Sequence, residues 1–242
     1  SGKKLSFNNI NDLYNAILVS KTLPKNKGCV VIKHSNPCGV SISKNKLNSL
    51  KQAVKCDPVS AYGGIISCNF KIDETVAKEL NKIFLEIVIG NGFSSNALKI
   101  LKEKQNLRII DAKNINLKKI QNFVSNFNSF LIQSSDIERF TERNFKVVSK
   151  KKPNKEILKN LIFAFNVCRF VKSNAIVITR DFSTIGIGSG QTSRVDSCKL
   201  AIKKMKDFNL DNLSGYKFAA SDAFFPFTDG IKELAFAGVD AI

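Results

Sequence analysis

The chain has 242 residues, 43% of them hydrophobic, and a mean hydropathy of −0.07, which together fit a globular protein with a real buried core. No apolar run is long enough to span a bilayer, and the opening Ser1-Gly2-Lys3-Lys4 lacks the apolar stretch of a secretory signal, so a cytoplasmic location is expected. The formal net charge is +18, unevenly spread: residues 146–206 hold 14 Lys and Arg against three acids, a field that attracts anions.

In chain order, apolar positions at Ile10, Leu13, Tyr14, Ile17 and Leu18 predict a helix over 6–23, capped by Ser6 or Asn8. The all-apolar run 29–32 predicts a strand buried on both faces, and 36–39 (Asn-Pro-Cys-Gly) reads as a turn. A helix over 45–55 follows, then a loop over 57–64, a strand over 65–70 and a helix over 73–83 with an acidic start. Residues 85–89 and 107–110 predict strands around a helix over 94–104. The Asn- and Lys-rich stretch 111–144 shows little pattern. Beyond Lys150-Lys151-Lys152-Pro153 come a helix over 154–172, strands over 175–179 and 183–187, a helix over 193–206, a strand over 218–220 and a helix over 229–237. Residues 239–242 look like a strand just beginning, so more chain is expected after Ile242. The alternation predicts an α/β fold in which helices cover mixed sheets, divided into subdomains at 1–150 and 151–242. No internal repeat is visible in the sequence.

Six cysteines without a Cys-x-x-Cys pair, and a single histidine, offer no clustered ligands, so reduced buried thiols are expected and no metal. Five segments can carry chemistry. Lys33-His34 follows a buried strand; a lone His is more often structural, but this one has a neutral-range pKa class, a Lys beside it and a turn after it. Ser173-Asn174 reads either as a helix stop or as a side-chain amide aimed at a developing oxyanion. The run 186–194 (Gly-Ile-Gly-Ser-Gly-Gln-Thr-Ser-Arg) is either an anion-binding loop ahead of a helix, with Arg194 as a clamp, or a tight strand-to-helix turn. It lacks the full dinucleotide and P-loop signatures. Residues 221–229, three phenylalanines around Pro226 flanked by Asp222 and Asp229, form either a core plug or an aromatic wall for a planar heterocycle. The segment 57–64 is a loop with Gly63-Gly64.

Together, the stretches 33–39, 57–64, 170–176, 185–194 and 220–229 resemble the transformylase region of the AICAR transformylase/IMP cyclohydrolase family, in family order and spacing. The resemblance implies a pair of α/β/α subdomains of cytidine-deaminase-like type without zinc, and an active site at a homodimer interface. It implies formyl transfer from 10-formyltetrahydrofolate to the 5-amino group of AICAR. Carried over residue by residue, it implies His34 as the proton acceptor, Lys33 as its assistant and Asn174 on the formyl oxygen. Gly63, Glu86, Arg194 and Phe224 would position AICAR, and Asp229 would contact the folate. The chain departs from the family at Gly90-Asn91, where Ala-Pro is usual. No nucleic-acid or membrane partner is expected. The rival readings are a basic α/β module for RNA or another polyanion, with salt-steep binding, and a nucleotide-binding oxidoreductase.

Overall fold

A computed structural model describes residues 1–116 and 121–242. Helix α1 (Phe7–Thr22) begins at a capping box in which Ser6 and Asn9 satisfy each other's backbone N–H. Strand β1 (Gly28–Lys33) then turns directly into β2 (Asn36–Ile42). The stretch 36–39 is therefore strand, and the turn is the pair His34-Ser35, both left-handed with φ of 51° and 61°. Pro37 is accommodated opposite Ile32, next to a register shift at Val31/Ile32 that relaxes the ladder where proline has no N–H to donate.

Helix α2 (Lys46–Lys55), a short α3 (Pro58–Ala61) capped by Asp57, and β3 (Gly64–Cys68) follow. Next come α4 (Glu74–Asn81), β4 (Leu85–Gly90), α5 (Ser95–Lys102) and β5 (Arg108–Asp111). The stretch expected to lack pattern holds a hairpin, β6 (Gln121–Asn126) and β7 (Ser129–Ser134), exposed on both faces; its residues 117–120 lie outside the described residues. Helix α6 (Lys155–Cys168) ends four residues before its expected limit and leads to β8 (Ile176–Arg180) and β9 (Ser183–Gly188). The described chain closes with α7 (Arg194–Asp207), β10 (Phe218–Ser221) and α8 (Asp229–Phe236). Of residues 239–242, Ala241 makes a single bridge to Phe218.

Eight strands form one mixed sheet in the order β10-β8-β9-β2-β1-β3-β4-β5. Val30 and Ile32 face α1 and belong to the core cluster that holds Ala16 and Ile17 with Phe163, Ala164 and Val167 of α6. Cys29 and Val31, one residue out of phase, pack instead with Leu50, Val76, Leu80 and Leu101 of α2, α4 and α5. In β8, Val177 joins the first cluster, while Ile176 and Ile178 meet Cys198, Ala201 and Met205 of α7 and Leu234 of α8. Each such fully buried aliphatic side chain contributes roughly 1.5–3 kcal/mol.

The topology contains a repeat that the sequence conceals. In each half a helix precedes an antiparallel hairpin, a second helix packs behind it, and a third strand pairs antiparallel with the hairpin's first strand. The strand orders β3-β1-β2 and β9-β8-β10 are mirror sequences joined at β2–β9. The junction is polar: Ser41 Oγ meets Ser183 Oγ at 2.8 Å and the Val40 N–H donates to Thr184 Oγ1 at 2.9 Å.

Candidate functional site

Strand register decides which loops meet. Ile32 pairs with Ile65 and Gly64 with Leu85, so Lys33-His34, Gly63-Gly64 and Glu86 share one end of the sheet. Ser41 pairs antiparallel with Ser183, which sends Gly188 back toward Asn36; Ile176 pairs with Gly188 and Ser221 with Ile176. Asn174, the loop 189–193 and Asp222 thus reach the same end. All of the sequence-derived segments converge there, from both halves of the chain. The sheet is mixed, so the end is defined by this convergence: β1, β9 and β10 finish there, whereas β3 and β4 start there. Glu86 accordingly sits near the start of β4.

The two halves are tied at the site by backbone. Lys172 N–H donates to Asn36 Oδ1 at 2.8 Å, and Gly190 N–H to the Lys172 carbonyl at 2.7 Å. His34 is exposed, and Lys33 Nζ donates to the Tyr62 carbonyl at 2.8 Å. Asp12 of α1 accepts from the His34 N–H, the Ser35 N–H and the Ser35 hydroxyl, at 3.1, 2.6 and 3.1 Å. Left-handed backbone at a non-glycine residue costs roughly 1–2 kcal/mol, and these bonds offset that cost. Asn174 follows a cis peptide from Ser173, and its Nδ2 donates to the Gln191 and Thr192 carbonyls at 2.9 and 3.1 Å. Its amide therefore braces the glycine loop in this state.

The glycines of that loop divide their work. A Cβ on Gly188 would lie 1.9 Å from the Ser197 carbonyl oxygen, and one on Gly186 2.3 Å from that of Ala201, so both let α7 lie against β9. Gly190 turns the chain with φ of 69°. Gly39 repeats the device in the first half, where a Cβ would meet the Ala53 carbonyl oxygen at 1.9 Å.

Arg194, the first residue of α7, donates through Nη1 to Ser221 Oγ at 2.7 Å and to Asp222; among the described residues its Nε and Nη2 have no partner. Burial would raise the Asp222 carboxyl, but hydrogen bonds from Ser173, Arg194 and the Ala175 N–H, with the charge of Arg194, outweigh it and hold the group below its ordinary range. Asp57 behaves alike: burial raises it, and Lys204 at 2.7 Å with Ser60 more than compensates. Burial first, then Asp57, pushes the nearby Cys38 thiol up to about 12, so it stays protonated and is no nucleophile at neutral pH. All six cysteines are free and buried, and among the described residues no cluster of potential metal ligands occurs.

Of the three phenylalanines in 221–229, Phe225 packs against the α7–α8 core, while Phe224 and Phe227 are 80% and 73% exposed. Phe225 is thus the core plug, while Phe224 and Phe227 stand at the surface. Asp229 opens α8 and is exposed, its Oδ1 accepting from the Gly230 N–H. Glu86 pairs with Arg108 at 2.6 Å. Gly63 is left-handed, and its N–H donates to the Phe84 carbonyl at 2.8 Å. Sequence reasoning missed Asp12, Lys172 and the Tyr62–Phe84 contact, whose ring centroids lie 5.1 Å apart with the planes tilted by 40°. The exposed aromatic pair beside Gly63 had a signal in composition, whereas Asp12 had none, because its partners are 22 and 23 residues away. A groove of about 510 Å³ between Ile42, Phe140, Phe163 and Phe182 lies at the opposite end of the sheet and contains none of these residues. Among the described residues no helix is long and apolar enough to cross a membrane.

Fold and site together define a three-layer α/β protein with a candidate site at one end of its sheet, where Lys33, His34, Asn174 and Arg194 stand with the exposed Phe224 and Phe227. The family model of the AICARFT/IMPCHase bienzyme matches residues 1–204, and the chain belongs to that family. It is 42% identical over its whole length to the bifunctional purine biosynthesis protein PurH of Acetivibrio thermocellus, covering 46% of that protein. It is 43% identical to PurH of Leptospira biflexa serovar Patoc, and 44% to that of Buchnera aphidicola subsp. Schizaphis graminum, covering 47% and 46% of them and again the whole of this chain. The chain thus spans about half the length of the curated relatives it matches.

Proposed function

We propose that this chain works in purine biosynthesis and carries the formyl-transfer step, moving the formyl group of 10-formyltetrahydrofolate to the 5-amino group of AICAR. The observation that carries the reading is the convergence of the five family-like segments on one end of the sheet. In this reading the AICAR amine attacks the formyl carbon, the new C–N bond forms, and the bond from that carbon to folate N10 breaks. His34 accepts the proton that the amine loses, and Lys33 assists delivery of a proton to N10, giving FAICAR and tetrahydrofolate. The amine of an aminoimidazole carboxamide is a weak nucleophile, so positioning carries much of the rate and base catalysis adds ~10²–10⁴-fold.

Asn174 holds the formyl oxygen as charge develops, after its amide leaves the Gln191 and Thr192 carbonyls. Arg194 has Nε and Nη2 available for an anionic group of AICAR, with Gly63, Glu86 and Phe224 completing its pocket. Asp229 contacts the folate, and the exposed Phe224 and Phe227 suit a planar ring. No metal takes part. The site is open to solvent in a single chain, which supports a homodimer that closes it. A division into subdomains at residue 150 and a cytoplasmic location belong to the same proposal.

Calorimetric titration of the intact protein with AICAR and a folate analogue tests it: saturable binding of both is expected, and absence of AICAR binding sinks the reading. For the base, His34→Ala and His34→Gln are each expected to lose ~10²–10⁴-fold in kcat; near-normal turnover in both removes His34 from the role.

A further inference from the structure

We propose that Asp12 is the positioning residue for His34, an inference that deepens the reading of His34 as the base and rests on it. His34 and Ser35 form a two-residue hairpin turn with both residues left-handed and neither a glycine. Such turns favour Asn-Gly or Asp-Gly, so this one is not self-supporting. Asp12 supports it from outside: Oδ2 accepts from the His34 N–H, and Oδ1 from the Ser35 N–H and hydroxyl.

The repeat within the fold supplies an internal control. The equivalent turn of the second half, Asp181-Phe182, has the same left-handed pair, with φ of 47° and 56°. There Asn160 of α6 plays the part of Asp12 of α1, with its Oδ1 accepting from the Phe182 N–H at 3.2 Å. One neutral bond suffices where the turn carries no proposed chemistry. At the turn that carries His34, the acceptor is a carboxylate and makes three bonds. The surplus hold falls on the one turn whose side chain needs a defined direction. Asp12 does not reach the reacting atoms. It fixes two successive backbone N–H groups, and with them the Cα–Cβ direction of residue 34 and the place of the imidazole.

The test compares Asp12→Ala and Asp12→Asn with wild type in the intact protein. Asp12→Ala is expected to lower kcat ~10- to 100-fold, with KM for AICAR nearly unchanged, since misplacement of a catalytic group by an ångström costs on this order. Asp12→Asn, which keeps one acceptor oxygen, is expected to fall between. The chain has one histidine, so the ring resonances of His34 are unambiguous by NMR. They are expected to shift or broaden in Asp12→Ala. Wild-type kcat in Asp12→Ala overturns the proposal, and so does a loss of kcat with the His34 resonances unmoved. If Asp12→Ala does not fold, Ser35→Gly is added, because glycine adopts the left-handed turn without help; kcat is then expected to stay low, and full recovery overturns the proposal. Failure of the formyl-transfer reading shows separately, as absence of AICAR binding, and failure of the base assignment as near-normal turnover in both His34→Ala and His34→Gln; either leaves the NMR comparison standing as the test of the turn.

Discussion

Replacing Lys204 by methionine isolates the ion pair that ties α7 to Asp57, the cap of α3. Lys204 Nζ lies 2.7 Å from Asp57 Oδ2, with the lysine side chain 33% exposed and the aspartate 4%. Lys204→Met keeps most of the packing of the stem and leaves a buried carboxylate with the Ser60 N–H and hydroxyl, at 2.9 and 2.7 Å, as its remaining donors. A hydrogen bond to a charged group is worth roughly 1.5–3 kcal/mol, and solvent screening of the partly exposed ammonium places this one at about 2 kcal/mol. For a chain of this size that lowers the melting temperature by ~4–8 °C, read by calorimetry or circular dichroism at neutral pH. The pH dependence has a definite sign. The folded pKa of Asp57 is depressed below 3.8, so its contribution is fully present above that value and is lost as pH falls through the folded pKa. The deficit of Lys204→Met should therefore be constant near neutrality and shrink in acid. A melting temperature equal to wild type at neutral pH, or a deficit that persists undiminished in acid, refutes the reasoning.

Gly188→Ala places a Cβ 1.9 Å from the Ser197 carbonyl oxygen, so α7 must move away from β9; a loss of ~1–3 kcal/mol in denaturant titration is expected, and under the proposed function AICAR binding weakens as well, because Arg194 travels with the helix. Asp222→Asn removes the partner of Arg194 and a carboxyl held below its ordinary range. The variant should lose stability at neutral pH and converge with wild type as pH falls below 3.8, measured by thermal melts across pH. Phe127→Ser, at a fully exposed hairpin tip, should leave the stability of the single chain within about ±0.5 kcal/mol.

Much of this architecture is legible in local pattern. The all-apolar run of β1 announces burial on both faces, and the helices start where Ser6, Asn45, Asp73, Ser94 and Asn154 cap them. These features are local: a cap concerns a backbone N–H within three residues, and a periodicity concerns one face of one element. The misreadings share a cause. Residues 36–39 carry turn-forming types, yet they are held in strand by pairing with β1, and the left-handed turn falls just before them at His34-Ser35, which lack the glycine such a turn favours. The β6–β7 hairpin lacks a buried face, so no alternation marks it.

Residue types at the site were readable from sequence because Lys33, His34, Asn174 and Arg194 stand in compact motifs. Their company was not. The sequence by itself determined which segments are buried, where most helices begin, and which short runs bear reactive groups. Only the tertiary structure decided that α1 supplies Asp12 to the His34 turn, that Lys172 docks on Asn36, and that two dissimilar halves repeat one topology. Those decisions depend on strand register and on hydrogen bonds between residues far apart in the chain, and such contacts have no local signature because their energy is realised only once the sheet has formed.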